Sequence, residues 1–130
     1  MNLSGVTYGN GLFVTVGWNG TILTSSDGIS WTQRTSGSKQ FHLNGLTYGN
    51  GLFVTVGESG TILTSPDGNS WTKRTSGTSK YLRGVTYGNG LFVTVGENGT
   101  IITSYDGNSW TDRTSGTWEY LRGVTYGRSQ

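Results

Sequence analysis

Ser25–Trp31 reads S-S-D-G-I-S-W, and it returns as Ser65–Trp71 (S-P-D-G-N-S-W) and Ser104–Trp110 (S-Y-D-G-N-S-W). In each copy a serine closes an apolar stretch, Asp-Gly follows, and a tryptophan opens the next β-prone run. Asp-Gly between such runs signals a tight hairpin, because both residues tolerate positive φ and the turn then matches the twist of its strands. The Asp carboxylate can accept hydrogen bonds from N–H groups within the turn. Ser25, Asp27, Gly28 and Trp31 are therefore read as a structural turn, as are Ser65, Asp67, Gly68 and Trp71, and Ser104, Asp106, Gly107 and Trp110. In this reading each Asp caps its own turn and each indole packs, buried, between strands. The functional alternative is a sugar or cation site at each Asp–Trp pair.

Outward from these turns the whole chain repeats. GVTYGNGLFVTVG at Gly5–Gly17 recurs at Gly45–Gly57 (with Leu46 for Val) and at Gly84–Gly96, and GVTYG starts again at Gly123. A fixed period near 40 residues is the mark of a repeat architecture. The first copy is one residue longer, most simply in the S-K-Q-F-H stretch of residues 38–42, and insertions collect in connecting loops.

One copy divides into four β-prone runs: Leu3–Gly9, Leu12–Gly17, Thr21–Ser25 and Ser30–Thr35. Asn10-Gly11, Asn19-Gly20 and Asp27-Gly28 punctuate them as turns. In the second run Leu12, Val14 and Val16 lie on one face and Phe13 on the other, so that strand requires cover on both sides. The fourth run is the most polar and carries Arg34, Arg74 or Arg113, which suits a solvent-facing edge. No segment has helical periodicity. The expectation is an all-β fold, a β-propeller of four-stranded antiparallel blades whose first strands line the axis. The blades are expected at residues 3–42, 43–81 and 82–120, with 121–130 supplying the first strand of a fourth repeat. A β-prism or trefoil would also show threefold hairpin repetition, whereas a solenoid would need shorter parallel coils.

Composition narrows the function classes. There are 130 residues with no cysteine, which removes disulfides and thiolate chemistry. Charged residues are 12% of the chain and the formal net charge is +2, with Lys and Arg spread through the repeats rather than gathered on one face. That is not the footprint of a nucleic-acid binder. No charged-then-apolar N-terminal segment is visible, and no apolar run approaches the ~18 residues of a membrane span. The sequence predicts a soluble chain, without membrane or nucleic-acid partners, and shows no address. Glycine occurs 23 times, at fixed repeat positions, which means turns and close packing rather than a flexible linker.

The S-x-D-G-x-x-W unit resembles the Asp-box of neuraminidase-like propellers, which reads S-x-D-x-G-x-x-W; all three copies here lack one residue between Asp and Gly. The wider unit is similar to blades of highly repetitive bacterial propellers, and the resemblance covers essentially the whole chain. It implies a propeller in which the Asp-box is a structural turn on the outer part of each blade, away from catalytic residues. The near-identity of the copies implies recent amplification or deliberate design.

Propellers close with ~4–8 blades, and three blades leave apolar faces uncovered. The expected partner is a second copy of the chain: a homo-dimer giving six blades is favoured, because six lies within the common range, and a homo-trimer giving nine is the alternative. The surplus Leu121–Tyr126 repeats Leu82–Tyr87 and could enter a neighbour's first blade in place of Leu3–Tyr8.

Catalysis finds few candidates. His42 is the single histidine and is read as a solvated loop residue. No catalytic residue, metal site or cofactor is assigned. A sialidase-type site would need clustered arginines and a tyrosine in the central bowl, whereas Arg34, Arg74 and Arg113 fall on outer strands. The informative positions are those that vary while the rest repeats: Trp18, Glu58 and Glu97 in one slot, Ser26, Pro66 and Tyr105 in another, and the long loops. Phe41, Tyr81, Arg83, Trp118, Tyr120 and Arg122, with Lys39, Lys80 and Glu119 nearby, form a candidate rim of residue types that stack on sugars and bond hydroxyls. Glycans are the ligand class this suggests, through repeated weak sites and avidity. Neutral drift on exposed loops is the competing explanation.

Overall fold

The computed structural model describes residues 2–37 and 40–127. The insertion assigned to the first copy falls partly on Ser38 and Lys39, outside the described residues.

Each repeat forms one meander. The first is β1 (Leu3–Gly9), β2 (Leu12–Gly17), β3 (Ile22–Ser25) and β4 (Thr32–Arg34). The second is β5 (Leu43–Gly49), β6 (Leu52–Gly57), β7 (Ile62–Ser65) and β8 (Thr72–Arg74). The third is β9 (Leu82–Gly88), β10 (Leu91–Gly96), β11 (Ile101–Ser104) and β12 (Thr111–Arg113). All pairings are antiparallel between sequence neighbours, so each meander is a four-stranded sheet in simple order. The sheets stack face to face, with β1, β5 and β9 side by side along the inner edge.

The alternating faces of the second strand explain the stacking. Val14, Val16 and Ile22 of the first blade pack with Leu43, Phe53 and Leu63 of the second. Val54, Val56 and Ile62 of the second blade pack likewise with Leu82, Val85, Phe92 and Ile102 of the third. The second blade thus uses one face toward the blade before it and the other toward the blade after it. Glycines permit the approach: a Cβ on Gly49 would lie 2.3 Å from Cγ of Tyr87.

The Asn-Gly turns behave as the sequence predicts, with Asn10 at φ 51° and Gly11 at φ 73°. The Asp-Gly turns do not. Only Gly28, Gly68 and Gly107 take positive φ there, whereas Asp27, Asp67 and Asp106 do not. The chain winds around the carboxylate instead of reversing in two residues. Ile29 N–H and Ser30 N–H donate to Oδ1 of Asp27 at 2.8 and 3.1 Å, and Gly28 N–H donates to Oγ of Ser25 at 2.8 Å. The fourth strand consequently begins at Thr32 and is only three residues long. Trp31 precedes it and is 40% exposed, contrary to the buried indole expected; Trp71 and Trp110 are half-buried. The indoles close their own turns, with Nε1 of Trp71 donating to the carbonyl of Gly68 at 2.9 Å.

The outer strand is pinned through its arginines. Nε of Arg34, Arg74 and Arg113 donates to Oγ1 of Thr24, Thr64 and Thr103, each at 3.0 Å. Residues 121–127 lie against the third blade but enter no ladder.

Candidate functional site

In a meander the turns alternate between the two ends of the sheet. The β2–β3 turn and the connection from one blade to the next therefore share one end, and the Asp-Gly turns share the other with the Asn-Gly hairpins. The variable positions Trp18, Glu58 and Glu97 and the long loops fall together on the first end.

A short 3-10 turn builds each slot. Trp18–Gly20, Glu58–Gly60 and Glu97–Gly99 each place their middle residue in the left-handed region, with Asn19 at φ 57°. The first residue of the turn bonds back to the residue entering its own blade: Glu58 N–H to the His42 carbonyl and Glu97 N–H to the Tyr81 carbonyl, both at 3.0 Å. The two glutamates close the loop a second time, since His42 N–H donates to Oε1 of Glu58 and Tyr81 N–H to Oε1 of Glu97, both at 2.7 Å.

These slots face across the junctions between blades. Burial pushes the Glu58 carboxyl up, but the His42 N–H and the Tyr81 hydroxyl bond its charged form, and the net shift is downward. The same contact, a hydroxyl held against the Glu58 carboxylate, raises the Tyr81 phenol above its ordinary value. At the first junction the slot holds an indole instead. Trp18 stacks on the imidazole of His42, 4.6 Å between centroids and 15° from parallel. His42 Nδ1 accepts from Asn19 N–H at 3.0 Å and lies 3.9 Å from Oε1 of Glu58. His42 is therefore not the solvated loop residue expected; it is a half-buried bridge between two blades. The signal available in the sequence was paired variation, Trp18 with His42 against Glu58 with Tyr81.

The rim residues do not converge on one spot. Tyr81 faces the Glu58 slot. Tyr120 carries the Arg122 guanidinium 4.9 Å above its ring, and Lys73 stands 5.8 Å from the ring centre of Phe41. Arg83 is exposed, and Trp118 is 85% exposed. Trp118 borders a groove of about 570 Å³ with Lys80, Asp112 and Arg113. A similar groove of about 540 Å³ lies one blade earlier, beside Lys73 and Arg74. At the opposite end the three Asp carboxylates are held below the ordinary carboxylate value, chiefly by N–H donors of their own turns, Ile29, Asn69 and Ser109 first among them. Among the described residues no group of three or more His, Asp or Glu is placed to hold a metal, and no helix is long and apolar enough to cross a membrane.

Solved structures share this stacking. YCF48 bound to D1 peptide aligns with a TM-score of 0.77 at 21% identity, over 92% of this chain and 41% of that chain. The chain is three blades of a β-propeller. YCF48 from Cyanidioschyzon merolae aligns with a TM-score of 0.73 at 19% identity, over 88% of this chain and 40% of that one. A protein of Parabacteroides distasonis, provisionally assigned as a glycoside hydrolase, aligns with a TM-score of 0.51 at 15% identity, over 93% of this chain and 52% of that one. At these identities the likeness is one of fold. The chain spans about two-fifths of the length of the two YCF48 structures. No protein-family model matches it, and no curated protein does.

Proposed function

We propose that the chain is a non-enzymatic, self-assembling propeller scaffold whose blades combine with those of identical chains. One observation carries this reading. On the leading face of the first blade Leu3, Val6 and Tyr8 are 52%, 65% and 58% exposed, whereas Leu43 and Leu82, which match Leu3, are 0% exposed, Val85, which matches Val6, is 9% exposed, and Leu46, Tyr48 and Tyr87 are half-buried. Contiguous apolar surface of this kind is an association surface. The face complements the trailing face of the third blade, because each internal junction joins those same two surfaces. Head-to-tail contacts between identical chains close into a ring when the rotation allows. The S-x-D-G-x-x-W turns, read as shortened Asp-boxes, support kinship with repetitive propellers in which such turns are structural. Native mass spectrometry with light scattering at several concentrations tests the reading. A species at twice the 14.0 kDa chain mass corresponds to six blades, and a trimer to nine. A stable monomer across the range overturns it.

A second reading has its own observation. Trp118 stands exposed beside Lys80, Asp112 and Arg113 at a groove that recurs one blade earlier, which fits a multivalent lectin-like module. Reproducible binding to one glycan class, lost in Trp118→Ala, would support it; binding unchanged in Trp118→Ala and Tyr81→Ala would reject this rim. The D1 peptide bound by one structural neighbour makes a peptide a sensible control ligand in the same assay.

A further inference from the structure

Among the described residues, 121–127 lies in the place of a first strand and no second strand pairs with it. Leu121–Tyr126 repeats Leu82–Tyr87 residue for residue. The segment sits on the third blade as β5 sits on the first and β9 on the second. A Cβ on Gly88 would meet the Tyr126 ring at 2.2 Å, as one on Gly9 would meet Tyr48 at 2.2 Å. Gly84 likewise approaches Gly123, 3.3 Å from a built Cβ to its Cα, as Gly45 approaches Gly84 at 3.2 Å. Leu121 N–H is bonded to the Gly96 carbonyl at 2.9 Å. In blades one to three the outer edge of this strand is taken by LFVTVG; along 121–127 that edge makes no ladder.

We propose that the partner for this edge is β2 of a second copy, which 121–127 joins in the place of that copy's own β1. This rests on the self-assembly reading and specifies its joint. The argument is steric. When the trailing face of one chain meets the leading face of another, 121–127 and the incoming β1 claim the same position beside β9. The segment already occupies it, with its glycine–tyrosine contacts made, so the incoming β1 yields, and Leu121, Val124 and Tyr126 take the places that Leu3, Val6 and Tyr8 would fill at an unexchanged junction. The sequences are interchangeable where it matters, LRGVTYG for LSGVTYG. Thr15 Oγ1, which donates to the Gly5 carbonyl at 2.6 Å, would find the Gly123 carbonyl instead. The register carries over from β1: Val6 pairs with Thr15 and Thr7 with Val14, so Val124 would oppose Thr15 and Thr125 would oppose Val14 of the partner subunit. Exchange of this kind is an economical route to oligomers, because every junction of the ring then has a covalent crossover.

The chain has no cysteine, so engineered thiols report without background. Two double variants are used, Val124→Cys with Thr15→Cys and Thr125→Cys with Val14→Cys. Neighbouring antiparallel pairs alternate between wide and close spacing, so one of the two lies within disulfide reach. After mild oxidation of the assembled protein, covalent multimers on a non-reducing denaturing gel are expected in at least one variant. Assemblies of normal mass that give only single-chain bands in both overturn the exchange but leave self-assembly standing. A monomer in native mass spectrometry of the unaltered chain overturns both. A variant lacking residues 2–9 guards against misfolding of the cysteine variants. It is expected to assemble to the same number of chains, and its recovery as a folded monomer would also reject the proposal.

Discussion

The indole of Trp18 lies flat on the imidazole of His42 and joins the first blade to the second where the next junction uses Glu58 and Tyr81. Each junction therefore has its own polar or aromatic fastening over a shared apolar core. Removing the indole in Trp18→Ala should cost about 1 kcal/mol for the aromatic pair in addition to the area the indole buries. A double-mutant cycle with His42→Ala, read from urea midpoints, should return a coupling energy of that order. Additive effects of the two substitutions would show that the stack contributes nothing.

The Asp-Gly turns predict a pH dependence of known sign. Asp27, Asp67 and Asp106 titrate below their ordinary values in the folded chain, because turn N–H groups bond the charged form. A carboxylate depressed by folding contributes stability that is complete above its unfolded value, near pH 4, and is lost as pH falls through the folded value. Thermal midpoints should thus be flat above about pH 5 and decline below about pH 4. The variant Asp27→Asn/Asp67→Asn/Asp106→Asn should be less stable near neutrality and show a shallower acid decline. An unchanged acid slope would mean that these turns do not carry the effect, and that Glu58, also depressed, deserves the same substitution.

Much of this was legible because repetition amplifies weak local signals. The period, the four strands per copy and the two-faced LFVTVG strand follow from glycine placement and alternation. The Asp-Gly hairpin did not follow, because a carboxylate that captures Ile29 N–H and Ser30 N–H draws the chain around itself rather than into a two-residue reversal. His42 was misplaced for a different reason. Its neighbours Trp18 and Asn19 belong to the previous blade, and no local pattern reports a contact across a junction.

Two glycines separate crowding from backbone strain. Gly51 has φ 75° and nothing within 4 Å of a built Cβ, so Gly51→Ala should cost only the left-handed penalty, about 1 kcal/mol. At Gly49 the added methyl would enter the Tyr87 ring at 2.3 Å, against a packed junction. Gly49→Ala should cost about 2–3 kcal/mol, in line with overpacked cores. Urea midpoints of the two variants should differ in that order; equal midpoints would place Tyr87 elsewhere.

Gly28 gives a test that distinguishes an open face from a joined one. At the internal junctions a leucine of one blade seats on the turn glycine of the next: a Cβ would lie 2.5 Å from Leu12 on Gly68 and 2.4 Å from Leu52 on Gly107. Gly28 has the same conformation, φ 80°, but its nearest neighbour is Phe13 of its own blade at 3.6 Å. Leu91, the third leucine of the series, is half-buried and seats on no such glycine. Closure of the ring would bring Leu91 of one chain onto Gly28 of the next. Gly28→Ala should then lower the stability of the separate chain no more than Gly77→Ala, a φ 82° position with open space around it. Its assembly constant should fall about tenfold or more for each junction formed, relative to that of Gly77→Ala, which corresponds to ~1.4 kcal/mol per junction. Sedimentation of the two variants across a concentration series measures the difference. Indistinguishable assembly would mean that the leading face of the first blade is covered in some way other than by the trailing face of the third.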